Sequence, residues 1–346
     1  MKRANRREFL AGAGVAAAGA AVPSAPSVDC QSHLFIPELV SLMEKRKTSP
    51  YVYRKDGGTF IVVNDWVRRL MPKHMDVEAK LADMDAAGIG LTALSINDPG
   101  PELFGKDGPA VARLVNDAIG EIAKRRPGRF FGLMVLPLQD MDASLVEMER
   151  CAGRLGMKGI LLYSNLDGAF PDEERFRPMF DQAQRMDLPV LLHPAYPTTF
   201  QATKGYEMAT MLGLMFDTTI ALGRIILAGI LDQYPKLKLV CPHVGGALPY
   251  LVGRMDHQTM VLKRGADKIR KPPSEYLKQV WFDTVSPIGL AVKYGIDFAG
   301  PGKMLFATDH PWVDPKIILG VVKSLQLAPD VETKVMGGNA RALFKL

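Results

Sequence analysis

Eight short apolar runs, each separated from the next by a longer stretch, set the strongest constraint on how this chain can fold. They span residues 28–33, 88–95, 130–136, 157–163, 188–193, 237–243, 279–284 and 303–308. Runs of this length, rich in β-branched and aromatic residues, read as buried strands. The intervening stretches, such as Val77–Ala87, Pro109–Lys124, Ala143–Leu155, Glu173–Arg185 and Thr218–Gln233, carry helical periodicity. Strands that alternate with helices need crossover connections and so form a parallel sheet. Eight such units are expected to close into an α/β barrel of the (β/α)8 TIM type. A final helix near Val331–Phe344 is expected to pack across the outside.

Four of the runs finish on a side chain that can bind a metal or move a proton: His33, His193, His243 and Asp309. In such a barrel the C-terminal strand ends converge on one mouth, where chemistry sits. Buried imidazoles and carboxylates cost free energy unless they are satisfied, so a core alone does not call for them. His33, His193 and Asp309 suit a divalent ion, an N/O donor set that leaves a position open for water or substrate. His243 precedes Gly245-Gly246 and a helix start. It is the candidate acid–base, with a titration range near neutral pH, or else a helix cap. Asp283, ending the seventh strand, suits a carboxylate partner for an imidazole. Ser95 and Asn165 stand at strand ends as candidate hydrogen-bond partners of ligand or substrate. Lys158 starts the fourth strand, at the far end from the mouth, which excludes it as a metal-bridging lysine. His74 and His257 have no partner at a meaningful spacing and are expected at the surface. Strand alternation turns His310 away from the interior.

The insertion at about 37–75 breaks the alternation: its Gly57-Gly58 turn and Thr59–Val63 run predict a hairpin after the first strand. There it lies over the mouth, as a lid, a substrate wall or a decoration. With 346 residues, 47% of them hydrophobic, the chain can bury a large core. Lys2, Arg3, Arg6 and Arg7 against Glu8 supply half of the net charge of +6, and no basic cluster is interleaved with aromatics. Nucleic acid is therefore not an expected partner. Cys30, Cys151 and Cys241 show no CxxC spacing, so neither a disulfide framework nor a thiolate zinc site is implied. Residues 1–27, with Arg6-Arg7-Glu8-Phe9-Leu10 ahead of an Ala- and Gly-rich stretch, resemble a twin-arginine export signal. The stretch is too short and too weakly apolar for a permanent membrane anchor. The expected products are a periplasmic protein (cytoplasmic if the signal is not used) and a barrel domain over 28–346.

Several motifs identify a family resemblance. They include Asp29-Cys30-Gln31-Ser32-His33, Leu81-Ala82-Asp83-Met84-Asp85-Ala86-Ala87-Gly88-Ile89, Leu192-His193-Pro194 and Cys241-Pro242-His243-Val244-Gly245-Gly246. Gly253-Arg254-Met255-Asp256, Pro273-Ser274-Glu275-Tyr276, Ala307-Thr308-Asp309-His310-Pro311 and Gly338-Asn339-Ala340 complete the set. The chain resembles the amidohydrolase-related group that contains aminocarboxymuconate semialdehyde decarboxylase and related aromatic-acid decarboxylases. The resemblance implies His33, His193 and Asp309 as metal ligands and His243 as the catalytic acid–base. It also implies that Arg254 reaches a neighbouring subunit's site in a homodimer and that Arg68 or Arg69 binds a substrate carboxylate. Bidentate, permanently charged guanidinium suits that task. Gln31 departs from the family's pattern, since many relatives place histidine or glutamate there. A neutral amide oxygen is a poorer ligand, which implies weaker binding, a shift from zinc toward manganese or a metal-free site.

These residues lead to a metal-dependent, non-oxidative decarboxylase of a small aromatic or muconate-like carboxylic acid. A metal-dependent hydrolase, lactonase or hydratase would use the same ligands, because both reactions want a Lewis acid beside a base. A non-catalytic periplasmic binding protein, its site decayed at Gln31, is the third reading.

Overall fold

The computed structural model describes residues 26–346, so the expected export segment, all but its last two residues, lies outside the described residues. Among the described residues the strands are β1 (Ser27–Asp29), β2 (Tyr51–Lys55), β3 (Gly58–Val63), β4 (Trp66–Leu70), β5 (Ile89–Leu94) and β6 (Phe130–Met134). They continue as β7 (Gly159–Tyr163), β8 (Val190–His193), β9 (Leu239–Cys241), β10 (Trp281–Asp283) and β11 (Met304–Leu305). Strands β1 and β5 to β11 pair in chain order, every pair parallel. The first and last strands meet through Cys30 N–H to the Phe306 carbonyl (2.9 Å), Asp309 N–H to the Gln31 carbonyl (3.0 Å) and His33 N–H to the His310 carbonyl (2.7 Å). The eight strands thus form a nearly closed barrel, as the alternation of runs requires. The barrel strands are buried on both faces, with Leu133, Ile160, Leu162, Val190 and Leu192 fully buried.

Local chemistry sets the helix ends. Helix Val77–Ala87 starts where the Asp76 carboxylate accepts from the Glu78 and Ala79 amides. It stops where Gly88 takes a left-handed conformation at φ 69°. Asp140 and Asp314 cap helices Met141–Arg154 and Pro315–Ser324 in the same way. Helix Gly108–Arg125 buries Val111, Ala112, Val115, Asn116, Ile119 and Gly120 as one stripe at helical spacing and turns Arg113 and Asp117 to solvent.

Several details differ from the sequence reading. The first run is a strand only over Ser27–Asp29, because from Ser32 its backbone bridges His310 and Ser95 singly. Residues 218–233 hold two helices, Leu214–Leu227 and Ile230–Gln233, parted at Gly229. The C-terminal segment closes the bottom of the barrel rather than crossing its outside: the Val335 carbonyl accepts from Phe306 N–H, and Phe344 packs on Phe131. Within 37–75, a helix (Pro37–Glu44) precedes an antiparallel meander of three strands, β2-β3-β4, where one hairpin was expected. His74 is buried rather than exposed, packed against Phe35 and Trp312. Its backbone carbonyl holds Phe35 N–H, which draws the turn into the core.

Candidate metal centre and active site

The ends of β1 and β8 and the loop after β11 deliver His33, His193 and Asp309 to one place, with one donor atom of each within 4.8 Å of the others. The rings of the two histidines lie edge to face, 4.5 Å apart. Surrounding bonds orient each ring. Ser95 Oγ donates to the Ser32 carbonyl (3.2 Å) and so accepts from His33 Nδ1–H (3.0 Å). That leaves the lone pair of His33 Nε2 facing Asp309 Oδ1 at 3.1 Å. Two acceptors at that distance need a proton or a cation between them. His193 Nδ1–H donates to the Pro194 carbonyl (2.7 Å), and its buried Nε2 has no partner. A buried nitrogen lone pair left open, beside a second one aimed at a carboxylate, fits a divalent ion.

Gln31 sits against this set. Its amide donates to Asp309 Oδ1 (3.0 Å) and lies 3.4 Å from His243 Nε2, while its Oε1 is buried and unpartnered. Burial alone would raise the Asp309 carboxyl, but His243 and His33 hold it far below the usual carboxylate range. Burial lowers the His193 imidazole, and the neighbouring histidines push it further in the same direction. Both shifts favour the forms that bind a cation.

His243 stands on a strained turn after β9. His243 (φ 54°), the β-branched Val244 (φ 56°), Gly245 (φ 81°) and Gly246 (φ 63°) run consecutively in the left-handed region. Such a conformation is costly for valine and persists only where its surroundings impose it. A Cβ on Gly246 would stand 2.6 Å from Thr219 Oγ1 and 2.9 Å from the Met215 carbonyl, so no larger residue fits. The turn puts His243 Nε2 3.7 Å from Asp309 Oδ2 and leaves Nδ1 unpartnered. Asp283 Oδ1 anchors the turn by accepting from the Val244 and Val285 amides (3.4 and 3.0 Å). Burial opposes charge on His243, but Asp309 and Asp283 outweigh it, and the imidazole is shifted upward. Burial also raises Asp283 to about 6.

His193, His243 and Asp309 open into a cavity of about 830 Å³. Trp66 and Arg68 of the meander, Met215 and Phe216, and Trp312 form part of its wall. The helical stretch Gly205–Leu227, long and apolar enough by length and composition to cross a bilayer, has about half of its most apolar window buried in the fold. Arg68 is at the cavity as expected, but its fork is closed on Asp98 (2.6 and 2.7 Å). Arg69 alternates to the exposed face of β4 and is not part of the cavity wall. Arg254 is exposed on helix Leu248–Asp256 and lines no part of the cavity. Asn165 faces a separate cavity of about 230 Å³, its amide donating to the Asp217 carboxylate (2.7 Å) and the Tyr196 carbonyl (2.9 Å). It therefore braces a loop and is not among the residues lining the cavity at the histidines.

His310 turns outward as expected and is held between Lys80 Nζ (2.7 Å) and Asp83 (2.8 Å). Nothing in the sequence sets Lys80 apart. It is wholly buried on the core side of its helix, and burial lowers it to about 7 despite the charges of Asp29, Asp83 and Asp309. Nor does anything in their spacing set Asp98, Trp66 and Trp312 apart. His257 is exposed.

Compared with known proteins, residues 28–346 match the family model described as Amidohydrolase. The chain is similar to the 2-amino-3-carboxymuconate-6-semialdehyde decarboxylase of Dictyostelium discoideum, 26% identical, covering 90% of either chain. It is also similar to the gamma-resorcylate decarboxylase of Rhizobium radiobacter, 29% identical, covering 88% of this chain and 97% of that one. Among solved structures, a dihydroxybenzoic acid decarboxylase from Polaromonas sp., with bound manganese and the inhibitor 2-nitroresorcinol, superposes with a TM-score of 0.79 at 23% identity. That match covers 93% of this chain and 97% of the other.

Proposed function

The chain belongs to the amidohydrolase family, and on that premise we propose that it is a metal-dependent, non-oxidative decarboxylase of a small aromatic carboxylic acid. What carries the proposal is one observation: the donor atoms of His33, His193 and Asp309 meet beside a cavity that His243 also lines. Similar proteins named as decarboxylases, one of them solved with manganese, support it.

His33, His193 and Asp309 would hold a divalent ion, manganese or zinc, with Gln31 Oε1 as a further, weaker donor. When bound, the ion supplies Lewis acidity toward the oxygens of the substrate. The cavity's aromatic wall fixes the ring and excludes water. His243 gives its proton to the ring carbon that bears the carboxyl group. The bond from that carbon to the carboxyl carbon then breaks, its electron pair restores the aromatic ring, and carbon dioxide leaves. Asp283 fixes the turn that carries the imidazole, and its charge favours the protonated form that the step requires.

The proposal extends to a homodimer, in which Arg254, exposed and outside the cavity at the histidines of its own chain, serves a neighbouring copy. It also extends to periplasmic export through residues 1–27. Cell fractionation and a solution mass measurement check these two points. Carbon dioxide release from a panel of hydroxybenzoates checks the reaction itself: His243→Ala is expected to lower the rate about 10²–10⁴-fold. Equal rates for His243→Ala and wild type would dispose of the proposed role.

A further inference from the structure

The cavity offers a second carboxylate no cation whose charge is free. Among the described residues Arg68 is the one Lys or Arg side chain on its wall, and the rest of the wall is chiefly apolar, including Trp66, Leu214, Met215, Phe216, Tyr294 and Trp312. The Arg68 guanidinium is already engaged on three sides. It donates to both oxygens of Asp98 (2.6 and 2.7 Å) and to Asn97 Oδ1 (3.2 Å), and it lies 4.3 Å over the Trp66 ring. Asp98 is 3% exposed, so the pair is shielded from water and has no net charge.

We infer that Asp98 is a specificity residue: by closing the fork of Arg68 it makes the site selective for aromatic monocarboxylates with apolar substituents and against dicarboxylates. This rests on the decarboxylase reading and narrows its substrate class. The carboxyl group that leaves is placed at the histidines. A second one, carried elsewhere on the ring, would lose its water against apolar walls and meet a guanidinium whose two terminal nitrogens are held and whose charge Asp98 already balances. The same wall welcomes an alkyl group or a second ring, and the cavity has room for one.

The test compares two ligands on the metal-loaded protein: a hydroxybenzoate with a short alkyl chain, and the same molecule with a carboxylate ending that chain. Binding is read from the fluorescence of Trp66 and Trp312, with carbon dioxide release measured in parallel. Wild type is expected to bind the monoacid at least about tenfold more tightly than the diacid. Asp98→Asn is expected to bring the diacid within about threefold, because Arg68 is released to receive it. Replacing the pair together, Arg68→Met with Asp98→Leu, is expected to leave monoacid binding within about threefold, since the pair holds no part of that ligand.

Wild type that binds the diacid as well as the monoacid, or neither of them, would overturn the inference. So would Asp98→Asn with discrimination intact, or a tenfold loss of the monoacid in the double variant. The wild-type comparison decides even if a variant does not fold. Monoacid preference without carbon dioxide release would sink the decarboxylase reading alone, whereas preferred turnover of the diacid would sink this inference alone.

Discussion

At His193 one ring nitrogen is bonded to the Pro194 carbonyl and the other is buried with no partner. That asymmetry makes it a ligand in waiting, and His193→Ala is expected to purify with far less than one equivalent of manganese or zinc. Ser95→Ala frees the His33 ring without touching a donor atom. Loss of an outer partner of this kind typically costs about 10–100-fold in metal affinity, which a chelator competition would reveal. Retention of full affinity would mean that packing alone orients His33. A different side chain shows how burial sets a pH response. Glu102 has a carboxyl oxygen with no partner, and burial, with the charges of Asp98 and Asp167 adding to it, raises the group from 4.5 to about 8. Between those values the folded protein keeps a proton that the unfolded chain has released, so stability falls as pH rises through that window. Glu102→Gln is therefore expected to melt a few degrees higher than wild type at pH 8 and to match it near pH 4. A constant difference across that range would mean the group titrates normally.

Elements place these residues through geometry that the chain cannot avoid. Parallel strands deliver His33, His193 and Asp309 from their C-terminal ends, and alternation along β4 sends Arg68 inward and Arg69 outward. The turn after β9 works differently, through strain. Four consecutive residues at positive φ hold His243 out of line with its strand, and the Asp283 carboxylate and the tight Gly246 contact keep them there. Gly246→Ala adds a clash to an unfavourable backbone, an expected loss of about 1–3 kcal/mol. Urea unfolding measures that loss. Activity should fall with it, since His243 would shift relative to Asp309. Unchanged stability would show that helix Leu214–Leu227 yields easily to the new Cβ. The meander is the other element of consequence, because Trp66 and Arg68 are the side chains through which it reaches the cavity.

For the molecule as a whole, the centre lies on the seam where the barrel closes: Gln31 and His33 bond across it to Asp309 and His310. A cation there would bind the folded chain and not the unfolded one, so it would stabilise closure. At a hundredfold excess over its dissociation constant that linkage is worth about 2.7 kcal/mol. Chelation is therefore expected to lower the melting temperature, and adding back manganese to restore it; a melting temperature indifferent to chelator would place the ion elsewhere.

The sequence by itself determined the barrel and which side chains meet at its mouth. Eight apolar runs at crossover spacing admit few other folds, and a residue that ends a strand must stand at the mouth, so His33, His193, His243 and Asp309 were legible from position alone. What it could not determine is what each polar side chain meets, because that depends on neighbours far away in the chain. Arg68 is free or occupied according to where Asp98 lies, thirty residues on. Asn165 is a substrate group or a loop brace according to Asp217. His74 and Lys80 carry no pattern that separates a buried side chain from an exposed one, and only packing against Trp312 and His310 took them inside. Strand period and strand end are local properties of a chain; the pairing of charges is decided by three-dimensional proximity, and here that pairing shapes what the cavity will accept.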